Sequence, residues 1–253
     1  MNQNYFTFKN SWMILLLLIS SFSFGQTTEV PINNNYASYT HGVSGEAGNT
    51  VGENNGPLIL TAPAGSVFIN VRFASYGSPS GTYPDFLIGS CHATNSRTVT
   101  TGLLGNTTAK IPASGSFNET FGDPCSGTLK TYDVAATYTE PFCSNSAPEI
   151  TITGSTPTGG NGITYTYLWE MSTTNATTGY GSVSGINNAK DYLVPPGTKQ
   201  TTWYRRTVTS GTESDATIVI VQVTGAPVAP ASFTAEVNNQ GNTTLSVNGV
   251  RWE

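Results

Sequence analysis

The segment that most constrains the fold of this chain is residues 121–130, with the sequence Phe-Gly-Asp-Pro-Cys-Ser-Gly-Thr-Leu-Lys. Two glycines and one proline in ten positions favour a structured loop over a strand or a helix. The loop contains an acid, Asp123, a thiol, Cys125, and an amine, Lys130. A structured loop is able to hold the acid and the amine toward one point. Such a pair is better suited to hydrogen-bonding a polyol than to transferring a proton.

Two upstream segments accompany this loop. Residues 73–81 are Phe-Ala-Ser-Tyr-Gly-Ser-Pro-Ser-Gly, and residues 89–96 are Gly-Ser-Cys-His-Ala-Thr-Asn-Ser. Taken in this order, the three segments resemble the galactose/rhamnose-binding (SUEL-type) lectin domain of secreted plant and bacterial proteins. The resemblance covers residues 53–138 and implies an antiparallel β fold with one short helix.

The resemblance also implies a sugar-binding site. In the family, sugar hydroxyls are bound by a Tyr-Gly-Arg loop, the aspartate of Asp-Pro-Cys, a following lysine and an early acid. The matching residues here are Tyr76, Asp123, Lys130 and Glu53, while Ser78 stands where the arginine is expected. Carboxylates would accept and the ammonium would donate charge-assisted hydrogen bonds, and the aromatic ring would cover the apolar face of the sugar.

Each of these residues also has a purely structural interpretation. Asp123 can cap the turn before Pro124, Lys130 can be a solvated strand end, and Tyr76 can belong to the core. Taken singly, these alternatives stay open. The four residues together, inside a lectin-like frame, favour a binding site.

Three cysteines in an exported chain favour one disulfide with one cysteine left over. The resemblance implies that Cys91 and Cys125 form the disulfide, because these two positions are paired in related domains. Cys143 is then the cysteine left over. The alternative is a zinc site built from Cys91, His92 and Cys125, which offers few ligands at an unconventional spacing.

The first 25 residues have the pattern of a cleavable signal peptide. Lys9 precedes the apolar run of residues 13–19, and Ser23-Phe24-Gly25 offers small residues for cleavage before Gln26. The run is shorter than the ~20 residues of a spanning helix, so no membrane span is predicted. The sequence therefore predicts a secreted or surface-displayed protein.

A second β unit is predicted over residues 147–225. Apolar residues alternate at Ile150 and Ile152 and again along Tyr165-Thr166-Tyr167-Leu168-Trp169-Glu170, and turn residues separate the short strands. Residues 165–170 and 203–208 resemble the immunoglobulin/PKD-like repeats of bacterial surface adhesins. This resemblance implies a β-sandwich, in which Trp169 is the predicted core tryptophan.

The complete predicted organisation is mainly β. It consists of a signal peptide (1–25), a flexible lead-in (26–52), the SUEL-type lectin domain (53–138), a linker (139–146), the immunoglobulin-like β-sandwich (147–225), and a further linker with the start of a possible third module (226–253).

Composition and motifs limit the possible functions. Only 10% of the residues are charged, the net charge is −5, and the basic residues are scattered, so no nucleic-acid surface is predicted. Neither His41 nor His92 lies in a hydrolase or metalloprotease motif. No frame places two carboxylates across a glycosidic bond.

We therefore predict a non-catalytic protein that binds galactose- or rhamnose-like glycans without a cofactor or a metal ion. Two alternatives stay open. One is a structural adhesin segment whose lectin fold has no ligand, and the other is an accessory sugar-binding module of a longer secreted glycoside hydrolase.

Overall fold

A computed structural model describes residues 29–143 and 147–225, together with the backbone of three short strands after residue 232. The predicted signal peptide (1–25) and the start of the final linker (226–232) lie outside the described residues. The predicted mainly β fold is confirmed. Across the described parts of the chain, no helix is long and apolar enough to cross a membrane.

The elements are numbered in chain order. The strands are β1 (Val30–Asn33), β2 (Ala37–Ser38), β3 (Ser44–Gly52), β4 (Leu58–Thr61), β5 (Val67–Gly77), β6 (Thr108–Ile111), β7 (Thr131–Thr139), β8 (Phe142–Cys143), β9 (Ile150–Gly154), β10 (Thr158–Gly160), β11 (Thr166–Ser172), β12 (Gly181–Ser182), β13 (Tyr192–Val194), β14 (Thr202–Ser210), β15 (Glu213–Val221), β16 (Val223–Thr224), β17 (Phe233–Val237), β18 (Thr243–Val247) and β19 (Val250–Trp252). The helices are α1 (Ser96–Thr100), a 3₁₀ turn (Thr101–Leu103) and α2 (Phe117–Phe121).

The first unit is built on the antiparallel strands β3, β7 and β5, with β7 in the centre. The sequence of residues 130–138 alternates and predicts a strand with Tyr132, Val134 and Ala136 on one face. This is confirmed, because all three face one hydrophobic core. The antiparallel pair β4–β6 and both helices close this core from the other side. The core therefore lies between this sheet and a second layer formed by the β4–β6 pair and the two helices.

The second unit is a β-sandwich. One layer contains β11, β14 and β15, and the other contains β13, β9 and β2. Trp169 is fully buried between them, as predicted; its ring centroid lies 5.7 Å from that of Tyr192 and its indole nitrogen donates to the carbonyl of Ala189 at 2.9 Å. Because the indole is both packed and hydrogen-bonded, it is a core residue and not a ligand platform.

The structure corrects the predicted flexible lead-in over residues 26–52. Strand β1 pairs with β10, β2 pairs with β9, and β3 pairs along its full length with β7. The reason is the apolar content of the segment, since Ile32, Ala37 and Tyr39 are buried. The asparagines and glycines around them mask this pattern in the sequence.

Of the predicted linker (139–146), the structure describes residues 139–143, and these do not form an exposed connection. Thr139 and Phe142 are buried, and β8 pairs in parallel with β16 of the second unit. The two units share one seven-stranded sheet, in which β15 lies beside β5. The Asn70 amide supports this junction by donating to the carbonyl of Ile218 at 2.7 Å and to the hydroxyl of Thr217 at 2.9 Å.

The final predicted region contains an antiparallel three-stranded sheet of β17, β18 and β19. The exact boundaries of the lectin-like domain, the sandwich and the possible third module stay predictions.

Candidate functional site

The disulfide predicted between Cys91 and Cys125 is confirmed. It joins the segment between β5 and α1 to the loop that follows α2, with the two Cα atoms 6.0 Å apart. Because both sulfurs are used in this bond, they are not available to the alternative zinc site. Within residues 29–143 and 147–225, no group of three or more histidine, cysteine, aspartate and glutamate side chains is placed to hold a metal ion.

Helix α2 sets the position of the loop at residues 121–130. The Ser116 side chain accepts from the backbone nitrogen of Glu119, and the Glu119 carboxylate accepts from the backbone nitrogen of Ser116, which forms a capping box. Phe117 and Phe121 anchor the helix in the core. Gly122 ends it at a φ of 79°, a conformation that favours glycine. The chain then turns directly into Asp123.

Lys130 is the centre of the predicted site. Its ammonium nitrogen lies 2.8 Å from Oδ1 of Asp123 and 3.2 Å from Oε1 of Glu53, and it donates to the carbonyl of Thr128 at 3.0 Å. An ammonium has three donors, and these three acceptors use all of them. The Lys130 side chain is only 2% exposed, so its ammonium contacts the two carboxylates from the protein interior and not from the solvent side.

Glu53 is held in a fixed orientation by two further donors. The backbone nitrogen of Lys130 donates to its Oε2 at 3.2 Å, and the Asn118 amide donates to its Oε1 at 2.5 Å. The Asn118 oxygen accepts in turn from the Tyr76 hydroxyl at 2.6 Å. Asn118 is a site residue that the sequence analysis missed. The sequence feature that could have identified Asn118 is a polar amide between two aromatic residues, Phe117 and Phe121, just before the Asp-Pro-Cys loop.

The structure thus brings Glu53, Asp123 and Lys130 together, but it corrects the role of Tyr76. The Tyr76 ring is 0% exposed and packs in the core at 5.2 Å from the ring centroid of Phe121 and 5.6 Å from that of Phe117. It is therefore not open to a sugar face. Its contribution to the site is the hydroxyl, which orients Asn118.

Electrostatics keep the two partners of the Lys130–Glu53 pair charged. The hydrogen bond from Asn118, with the contacts from Lys130, lowers the pKa of Glu53 despite its partial burial. Hydrogen bonds to Asp123 and Glu53 raise the pKa of Lys130. Burial and the nearby charge of Glu53 raise the pKa of Tyr76 to about 12. Glu53 is therefore an ionised acceptor and is not poised as a general acid.

The directions of the Glu53 and Lys130 pKa shifts predict how the stability of the folded protein depends on pH. Since the pKa of Glu53 is lowered from 4.5, its contribution to stability is present above that value and is lost as the pH falls through the lowered pKa. Since the pKa of Lys130 is raised from 10.5, its contribution is complete below that value and is lost as the pH rises through the raised pKa.

Urea unfolding of the wild type and of Glu53→Gln at a series of pH values checks the acid limb. The difference in unfolding free energy between the two proteins should shrink as the pH falls below 4.5. A difference that stays constant over this range would show that Glu53 has the same pKa in the folded and unfolded chains.

The surface that the cluster presents to a ligand is acidic. The Asp123 side chain is 40% exposed and that of Glu53 is 15% exposed, whereas Lys130 lies beneath them. Carboxylate oxygens in fixed positions accept hydrogen bonds from hydroxyl groups. The arrangement therefore fits a neutral polyhydroxylated ligand better than an anionic one.

Comparisons with known proteins cover parts of the chain. Residues 133–227 match a family described as a domain of unknown function, DUF8696; the matched region begins in β7 and runs through the second unit. A segment of 87 residues is 37% identical to beta-galactosidase 6 of Oryza sativa subsp. japonica. The matched segment covers 33% of this chain and 10% of that enzyme. The chain thus matches about a tenth of the length of this relative. The likeness is to one segment of a much longer galactosidase.

Proposed function

We propose that this chain is a non-catalytic carbohydrate-binding protein, exported or displayed at the cell surface in the manner of an adhesin. Its first unit would bind a galactose- or rhamnose-like sugar through Asp123, Glu53 and Asn118, with Lys130 as the fixed charge beneath them. The observation that carries the proposal is the pair of short contacts from the Lys130 ammonium to Asp123 and to Glu53.

The network supports binding because its acceptors are already oriented before a ligand arrives. Lys130, Asn118 and a backbone nitrogen fix Glu53, so a sugar hydroxyl would meet an ordered carboxylate. Such preorganisation lowers the entropy cost of association. Hydrogen bonds to charged groups contribute about 1.5–3 kcal/mol each.

Sequence similarity supports the same ligand class. The resemblance of residues 53–138 to SUEL-type lectins and the 87-residue match to a galactosidase both concern proteins of galactose chemistry. Since that match spans only 10% of the galactosidase, it also favours the accessory module of a longer glycoside hydrolase as a second candidate.

Two features favour the structural-adhesin alternative. The donors of Lys130 are all used within the protein, and the Tyr76 ring is buried in the core. In the proposed mode a ligand would interact mainly with acceptors and with the Asn118 amide. We therefore expect weak single-site binding, with avidity from the display of several copies.

The test is a calorimetric or NMR titration of the full chain with galactose and with rhamnose. Asp123→Asn keeps the shape of the side chain but removes its charge, so binding should weaken about tenfold or more. Asp85→Asn is the matched control, because Asp85 is an exposed aspartate of the same unit outside the cluster. It should bind as the wild type does.

If both variants lose the same affinity, or if neither variant loses affinity, the sugar site lies away from Asp123. If the wild type binds neither sugar and no other glycan, the structural-adhesin alternative is the correct one.

A further inference from the structure

A groove separate from the Asp123 cluster runs along the outer face of β5. It consists of two adjoining cavities of about 450 and 440 Å³, each within the range of small-ligand sites. The cavities share the lining residues Asn33, Phe73, Ile88 and Arg97. Its walls are the N-terminal segment that contains β1 and the chain between β5 and α1. The second unit also contributes to the lining, through residues 213–215 and Thr158.

The lining of the groove contains fixed polar side chains. The Arg97 Nη1 donates to the carbonyl of Asn35 at 2.7 Å and to Oδ2 of Asp215 at 2.9 Å, and the rest of its guanidinium remains partly exposed. The His92 Nδ1 lies 2.8 Å from the Ser75 hydroxyl, which fixes the imidazole ring against the cavity wall. Donors and acceptors therefore stand side by side in fixed positions.

The lining also contains aromatic and aliphatic side chains. Phe73 and Phe86 pack with their ring centroids 5.4 Å apart, and both line the second cavity. Leu87 and Ile88 stand at its rim with exposures of 63% and 44%. Apolar surface beside ordered polar groups matches the two faces of a sugar ring.

The guanidinium groups of the groove are both paired with carboxylates, and Glu213 adds a further carboxylate to the lining. Arg97 is paired with Asp215, and Arg72 with Glu46 at 2.6 Å. A groove with compensated guanidinium groups does not select a strongly anionic ligand. An added peptide strand is not favoured on its floor either, because β5 is already hydrogen-bonded to β7 and to β15.

We propose that this groove is a second carbohydrate site that binds a neutral oligosaccharide. Sugar rings would lie against Phe73 and Ile88, and hydroxyl groups would bond to His92, Arg97 and Asp215. Two adjoining cavities accommodate consecutive sugar units, whereas the Asp123 cluster presents a single group of acceptors. None of the residues that line the groove belongs to that cluster.

The test uses the full chain on an array of neutral and uronic-acid-containing oligosaccharides, followed by titration with the strongest neutral binder. Thr94→Trp places a large ring into the groove from an exposed position, and it should weaken oligosaccharide binding at least about tenfold. Thr98→Trp is the matched control, because Thr98 is exposed nearby but lines neither of the two cavities. Asp123→Asn should leave binding to the groove in place.

Equal affinity of the two tryptophan variants would overturn the proposal, as would complete loss of oligosaccharide binding in Asp123→Asn. The proposal would also be overturned if no neutral oligosaccharide on the array binds the protein. Binding of an acidic oligosaccharide, or of a peptide from a library, would not rescue it. If Thr94→Trp weakens binding while Asp123→Asn does not affect any sugar, the groove is a site and the proposed function of the Asp123 cluster fails.

Discussion

Replacing both Cys91 and Cys125 by alanine is expected to lower the free energy of unfolding of the first unit by about 4 kcal/mol. The two cysteines are 34 residues apart in sequence, and a cross-link over that length removes a large part of the chain entropy of the unfolded state. The bond also ties the loop of Asp123 to the chain after β5. Its loss therefore also releases the loop that contains Asp123 from the rest of the unit.

Hydrogen exchange of the amides in β5 and β7 is the appropriate measurement. No tryptophan lies within residues 29–143, so tryptophan fluorescence would not report on the first unit. The control is the wild type in reductant, which should lose a similar stability, while the double-alanine variant should not respond to reductant. Unchanged exchange in the reduced wild type would show that the disulfide does not limit the unfolding of this unit.

Local patterns in the sequence predicted the features that depend on short stretches. Alternation is sufficient to place Tyr132 and Val134 in the first core, and an indole between alternating apolar residues is sufficient for Trp169. The meeting of Asp123 with Lys130 follows from a loop whose glycines and proline restrict its conformation. The pairing of Cys91 with Cys125 is implied by the resemblance to the lectin domain.

Features that depend on distant partners could not be predicted in the same way. Strands β1 and β2 are too short to show a pattern and lie among polar residues, and their partners lie more than a hundred positions later in the chain. The burial of Tyr76 depends on Phe117 and Phe121, which belong to a helix of only five residues. Its sequence signal is limited to the two residues of its capping box. Asn118 lies on the same helix, so its place in the site could not be predicted in the same way either.

Gly77→Ala is expected to destabilise the first unit by about 3 kcal/mol or more, because two separate effects act at this position. Its φ is 148°, in the region that disfavours side chains, and an added Cβ would overlap the backbone carbonyl of Cys91. That carbonyl accepts from the backbone nitrogen of Ser78 at 2.8 Å, so it is held in place. The overlap would push the disulfide-bearing segment away from β5.

Two matched variants separate these effects. Gly65→Ala tests the conformation alone, since its φ is 85° and no atom lies within 4 Å of an added Cβ; it should cost about 1 kcal/mol. Gly89→Ala tests overlap without a positive φ, because its Cβ would collide with the carbonyl of Ser78. Urea unfolding followed by hydrogen exchange in β5 and β7 gives the three values. If Gly77→Ala costs no more than Gly65→Ala, the close approach of Gly77 to Cys91 does not contribute to stability.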